Sequence, residues 1–294
     1  MVIKQFAYLV ALAREKHFAR AAKACNVSQP TLSGAIRQLE EELGVPLVER
    51  GHRFTGLTAE GETILAHAKR ILAEVDTMAQ SIGDVRQGLK GRLRIGAIPT
   101  ALPLVAQITG PFSERFPAVT LAVLSMTSTA IQDAIDNFDI DVGITYLDNE
   151  PVEGLMQHPL YEEHYSLFVG ETSPYTDKES VTWTEAAQEP LCLLTPNMQN
   201  RRIIDRAFAV ANVHPSPRLE TNSIMNLLAS VKSMGLSSIM PDYFIHVLGK
   251  LEGVRAIPLT HPKVEHKVGL VGLPREPLSP LVAGLFAAAR SLKA

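Results

Sequence analysis

Apolar residues recur along the first ninety positions at helical spacing. Phe6, Leu9, Val10 and Ala13 fall on one face, which predicts an amphipathic helix over residues 3 to 14. A second helix is expected from Phe18 to Ala24, where Ala21 and Ala22 are small enough to let another helix approach closely. Asn26, Val27 and Ser28 form a short turn. Ser28 can then cap a third helix, with Pro30 in a first turn that does not need its missing N–H. That helix runs to about Leu43, before Gly44, and its Leu32, Ile36, Leu39 and Leu43 form a core stripe that turns Thr31, Ser33, Gly34, Arg37 and Gln38 outward. Downstream, Ile64, Ala68, Ile71, Val75, Met78, Ile82, Val85 and Leu89 alternate four- and three-residue steps over about three and a half heptads, up to Gly88 and Gly91. A helix packed on its own domain and a helix paired with a second chain would both show this seam.

From Arg92 short apolar runs alternate with helical segments, the signature of an α/β domain with a largely parallel sheet. Strands are expected at Leu93 to Ile98, Val119 to Ser125, Val142 to Tyr146, Ser166 to Val169, Leu191 to Leu194, Ser237 to Met240 and Val268 to Leu273. Helices are expected between them, at Leu102 to Phe116, Ser128 to Asn137, Arg201 to Ala211, Ser223 to Met234 and Pro280 to Leu292. Neither an internal repeat nor a low-complexity run interrupts the pattern.

Composition adds limits rather than a function. At 294 residues, 46% hydrophobic and 20% charged, the chain fits about two ordinary globular domains, not a disordered or membrane protein. No apolar run nears the 18 or so residues of a membrane span and no secretory leader is visible, so the cytoplasm is the expected compartment. The net charge of −3 is unevenly spread. Residues 1 to 58 hold eight Lys and Arg against five acids, a net of +3, leaving −6 for the remainder. A basic head on an acidic body is compatible with phosphate attraction confined to one module.

Compact polar side chains on the exposed N-terminal half of the third helix suit a DNA major groove, although a plain solvated helix face reads the same way. Catalytic signatures are absent: there is no GxSxG, P-loop or HExxH, and the nine histidines lack metal-ligand spacing. The chain is therefore not expected to be an enzyme or to carry a cofactor. Cys25 and Cys192, far apart in sequence, fit structural thiols in a reducing compartment.

The run AAKACNVSQPTLSGAIRQLEEELGVPLVER, from Ala21 to Arg50, with LTAEGE from Leu57 to Glu62, resembles the helix-turn-helix signature of LysR-type transcriptional regulators. RLRIGAIPT, FSERFPAVTLAV and FDIDVGIT resemble the family's effector domain, so the likeness spans nearly the whole chain. It implies a winged helix-turn-helix over residues 1–58, a linker and dimerisation helix over 59–91, and a periplasmic-binding-protein-like domain over 92–294. The last would divide into lobe I (92–162 and 268–294) and lobe II (163–267).

The resemblance places Ser28, Gln29, Pro30, Thr31, Ser33 and Arg37 on the DNA-reading helix and Arg50 and Arg53 at the wing against phosphates. Gly34 departs from the family, which carries a longer side chain there. Cys25 and Val48 replace a usual leucine and phenylalanine but stay apolar. The implied partners are double-stranded DNA with a near-palindromic operator, a second copy of the chain in a dimer that can build a tetramer, and a small-molecule effector between the lobes. RNA polymerase is open as a further partner, and a membrane is not expected.

Strand ends and helix starts expose N–H groups, and by resemblance they line the effector pocket, with Thr100, Ser128, Thr129, Asn200 and Asn222 as candidate contacts. Each also reads as an ordinary cap or turn residue. Arg201 and Arg202 could offer a guanidinium to an anionic effector. The competing reading is a solute-binding module that never meets DNA.

Overall fold

The computed structural model describes residues 1–49, 54–148, 152–249 and 251–291, together with the backbone but not the side chains of 83–87. Its contacts divide it into two units, 1–87 and 88–294.

The first unit is helical: α1 (Ile3–Glu15), α2 (Phe18–Ala24), α3 (Gln29–Leu43) and α4 (Ala59–Gln87). Ser28 caps α3 as its position suggested, its hydroxyl accepting the Thr31 N–H at 3.2 Å. Gly44 closes the helix in the left-handed region, at φ 73°. Leu32, Ile36 and Leu39 are buried, Ile36 and Leu32 beside Leu12, Ala21 and Ala22, and Leu39 beside Phe6, Leu9, Leu47 and Ala68.

Side chains tie the turn between α3 and α4. The Glu40 carboxylate accepts the N–H groups of Leu47 and Val48 at 2.8 and 3.1 Å. Thr58 donates its hydroxyl to the Pro46 carbonyl and caps α4 by accepting the Gly61 N–H at 2.9 Å. Gly61 must be small, since a β-carbon there would lie 2.1 Å from the Leu47 carbonyl oxygen. The LTAEGE run is thus a cap and a close approach.

The second unit opens with β1 (Gly91–Ala97), α5 (Leu102–Arg115), β2 (Val119–Ser125), α6 (Ser128–Asp136), β3 (Val142–Tyr146) and a 15-residue strand β4 (Met156–Gly170). It continues with β5 (Val181–Thr182), α7 (Trp183–Ala186), β6 (Leu191–Leu194), α8 (Gln199–Val210), β7 (Leu219–Thr221), α9 (Ile224–Met234) and β8 (Ser237–Pro241). Last come α10 (Tyr243–Leu248), β9 (Val254–Thr260), β10 (Glu265–Gly272) and α11 (Pro280–Arg290). The strands run β2-β1-β3-β10-β4-β8-β6-β7, with β9 on β4 and β5.

The sheet is mixed, which corrects the largely parallel expectation. β10 lies antiparallel between β3 and β4, and β4 pairs antiparallel with β8 and β9 as well. β4 pairs with β10 from Met156 to His164, then changes to β8 and β9 from Tyr165 onward. One long strand therefore joins two half-sheets, each helix-covered.

Candidate functional site

On α3 the polar face is free in the way a groove reader needs. Ser28, Gln29, Pro30, Thr31 and Arg37 are exposed and Ser33 is half-buried, while Leu32 and Ile36 anchor the opposite face. Gly34 is exposed, and a β-carbon there would meet nothing within 4 Å, so no packing demands a glycine. Arg50 and Arg53 lie outside the described residues.

The heptad seam divides into two parts along α4. Ile64 and Ala68 pack on α1 and α3 within the unit, whereas Ile71, Met78 and Ile82 are exposed, the last two at 60%. Val75 is half-buried and Val85 falls among the side chains left undescribed. Leu89 corrects the reading of the seam. α4 ends at Gln87, and Leu89 is buried in the core of the second unit.

In the second unit, Thr100 sits in the turn Pro99–Ala101 after β1. The Ile98 N–H bonds the Ile144 carbonyl at 3.1 Å, which holds that turn beside β3. Thr100 and Thr145 are buried with hydroxyls that meet no partner among the described residues. Thr127 caps α6 by accepting the Ala130 N–H, leaving Ser128 buried and Thr129 exposed. Asn222 is exposed in the bend between β7 and α9.

Asn200 is buried at the start of α8 and donates to the Tyr146 hydroxyl at 3.3 Å, linking α8 to β3. Sequence reading missed its neighbour Gln199. That side chain is 2% exposed, and among the described residues both its amide atoms lack partners, at a helix start whose cap residue, Met198, supplies no side-chain bond.

Arg201 is committed elsewhere: its guanidinium bonds Asp205 at 2.8 Å, Glu220 at 2.6 Å and the Leu194 carbonyl at 2.8 Å. Arg202 donates to the Asn197 carbonyl at 2.9 Å. Arg201, and with it the main support for an anionic effector, serves to brace α8.

A second group that sequence reading missed surrounds Glu163. This residue is fully buried, and its carboxylate accepts hydroxyls from Tyr146 at 2.5 Å, Tyr165 at 2.7 Å and Tyr161 at 3.2 Å. Burial pushes its pKa up to about 7 against the opposing pull of the tyrosine hydrogen bonds, and raises the three phenols well above their usual value. The signal was available: in YEEHYS, Tyr161, Glu163 and Tyr165 alternate onto one strand face.

Cys192 is buried on β6, and burial raises its thiol to about 11. Glu162, His164 and Glu265 lie together on a more exposed face, where Glu265 pairs with Lys263 and sits 3.4 Å from His164.

Two family descriptions match in tandem. Residues 3–62 match the bacterial regulatory helix-turn-helix protein of the lysR family, and residues 86–293 match the LysR substrate binding domain. The chain belongs to the LysR family of transcriptional regulators. It is 32% identical over 282 residues to the DNA-binding transcriptional dual regulator OxyR of Escherichia coli strain K12, covering 95% of this chain and 91% of that protein. The structure of a full-length OxyR variant from Pseudomonas aeruginosa superposes with a TM-score of 0.77 at 26% identity, covering 100% of this chain and 99% of that one. CbnR in complex with its target DNA shares the fold, with a TM-score of 0.71 at 21% identity over 99% of both chains. The protein is thus a LysR-family DNA-binding transcriptional regulator, close to OxyR in sequence and fold, and not an enzyme.

Proposed function

We propose that this LysR-family regulator reads a near-palindromic operator with two copies of α3 and adjusts its hold on the promoter when a small molecule enters the second unit. The observation that carries this reading is the Ser28-capped α3, whose compact polar half is exposed while its apolar stripe is buried. Gln29, Thr31, Ser33 and Arg37 offer hydrogen bonds to base edges and phosphates, Ser28 and Pro30 set the helix start, and Arg50 and Arg53 add phosphate contacts. The solved complex of CbnR with its target DNA supports the same mode of use. Exposed Ile71, Met78 and Ile82 on α4 support pairing of two chains, which presents two reading helices to two half-sites. The regulator works in the cytoplasm as a dimer that assembles into a tetramer, within reach of RNA polymerase.

The effector lies between lobe I (92–162 and 268–294) and lobe II (163–267), against Thr100, Ser128, Thr129, Asn200 and Asn222. Buried, unpartnered Thr100 and Gln199 support a ligand gripped by hydroxyl and amide groups. Binding favours a closed arrangement of the lobes and so a different packing of dimers on the promoter; a ligand does this only through unequal affinity for the two states. Several relatives carry the name hydrogen peroxide-inducible genes activator. A cysteine-pair peroxide sensor within the second unit does not fit this chain, because Cys192 is the one cysteine there and is buried with a raised thiol pKa. A thermal-shift screen of metabolites, hydrogen peroxide included, followed by footprinting with each hit tests this reading. A stabilising metabolite that alters the footprint, with Asn200→Ala abolishing both effects, is expected; hits that leave the footprint unchanged, or survive Asn200→Ala, contradict the site.

A further inference from the structure

Glu163 stands where β4 leaves β10 and takes up β8, two residues before Tyr165 begins the second pairing. Its carboxylate gathers elements that are otherwise separate in sequence. Tyr146 reaches it from β3, Tyr161 and Tyr165 from β4 on either side, and Asn200 from α8 through the Tyr146 hydroxyl. Behind these, Tyr161 stacks on Tyr243 of α10 at 4.4 Å, and Tyr243 donates to Gln107 of α5 at 3.0 Å. Tyr146 meets the His266 ring of β10 edge-on at 6.0 Å, and His266 is held by Asp148 at 3.1 Å. The nearest arginine on α8, Arg201, is paired with Asp205 and Glu220. Among the described residues Glu163 has no salt-bridge partner. A buried carboxylate held by neutral hydroxyl and amide groups can give up its charge cheaply, because no ion pair breaks when it does.

We propose that Glu163 is a positioning residue that binds and releases a proton, and that its charge sets how tightly β3, β4 and α8 are drawn together at the strand joining the two half-sheets. Ionised, the carboxylate offers acceptor sites to all three phenols, and each bond is charge-assisted. Protonated, it becomes neutral and one oxygen becomes a donor, so the tyrosine bonds weaken and at least one phenol must change from donor to acceptor. Asn200, held through Tyr146, loosens with it. The step is a simple exchange with solvent: one proton taken up onto a carboxylate oxygen, none lost elsewhere. The geometry is tuned for the neutral range, since burial brings the carboxyl to about 7. Any consequence for effector or promoter rests on the function proposed above; the proton itself is tested on the protein alone.

Trp183, the sole tryptophan, is a built-in reporter: it is buried, packs on Tyr165 at 6.4 Å and donates to the Pro262 carbonyl at 2.9 Å. Its emission from the full-length protein, titrated between pH 5.5 and 8.5, should show a one-proton transition with a midpoint near 7. The transition should vanish in Glu163→Gln and persist in His266→Asn. A transition that survives Glu163→Gln, or is lost in His266→Asn, overturns the assignment. Should Glu163→Gln not fold, infrared titration of the wild type with carbon-13-labelled glutamate decides. A protonated-carboxyl stretch growing in around pH 7 supports the proposal, and its absence down to pH 5.5 overturns it. Failure of the effector reading leaves these outcomes unchanged, so the two proposals fail separately.

Discussion

Three residues carry the sharpest consequences of their surroundings. Gly34 sits mid-helix on α3 with open space around it, so Gly34→Ala should stabilise the first unit by about 0.5–1 kcal/mol through helix propensity, read as a higher midpoint in urea. Gly34→Arg should add a phosphate contact and steepen the salt dependence of DNA binding by roughly one charge. Gly61 is the opposite case: a β-carbon 2.1 Å from the Leu47 carbonyl oxygen must displace backbone, so Gly61→Ala should cost about 1–3 kcal/mol by thermal melting. Glu163 has a definite sign. Its folded pKa, about 7, lies above the ordinary 4.5, so its contribution to stability is complete below pH 4.5 and is lost as pH rises through 7. The lost stabilisation is at most about 3 kcal/mol, and urea melts should show wild type losing stability relative to Glu163→Gln as pH rises from about 4.5 to 7.5.

At the scale of elements, α4 is the test case. Over its 29 residues the helix is about 43 Å long, and Ile64, Ala68 and Leu72 in its first half join the cluster of Phe6, Leu9 and Leu39 from α1 and α3. Changing Met78 and Ile82 together to Glu alters only exposed positions, so the monomer should stay folded while sedimentation shows loss of the proposed dimer and gel shifts show at least tenfold weaker operator binding. How much of this was legible in sequence depends on the length and purity of each pattern. The first three helices and the strands β2, β3 and β6 appear where apolar spacing put them, because each is a single uninterrupted period, whereas the apolar seam of α4 runs two residues past its end at Gln87. The first half of β4 escaped notice, since Pro159 and the polar Gln157 and His158 disguise a strand with one solvated face. β7 has only three residues and β9 carries Pro258, so neither shows a strand signature. The antiparallel place of β10 between β3 and β4 is a long-range pairing that local pattern does not encode.

For the molecule as a whole, two units carry the two parts of a LysR regulator: a helical module that matches the family's helix-turn-helix and a mixed α/β module that matches its substrate binding domain. The candidate reading face was legible because motif, cap and stripe agree along one helix. The second unit's site was legible only in outline. Thr100 and Asn200, named from strand ends and helix starts, are buried beside β3, while Gln199 and the Glu163 cluster depend on contacts between residues far apart in the chain, and Arg201 is spent on Asp205 and Glu220. Family membership fixes what the protein is; which surface it uses is decided by binding. The most direct measurement is fluorescence anisotropy of the full-length protein on the duplex upstream of its own gene, across salt concentrations, with wild type and Arg37→Ala. With α3 as the reading helix, binding should be tight at low salt and weaken steeply as salt rises, with a loss of about tenfold or more in Arg37→Ala while the fold stays intact. Folded, dimeric protein that fails to bind this duplex at low salt, or binds it equally well without Arg37, would contradict that role for α3.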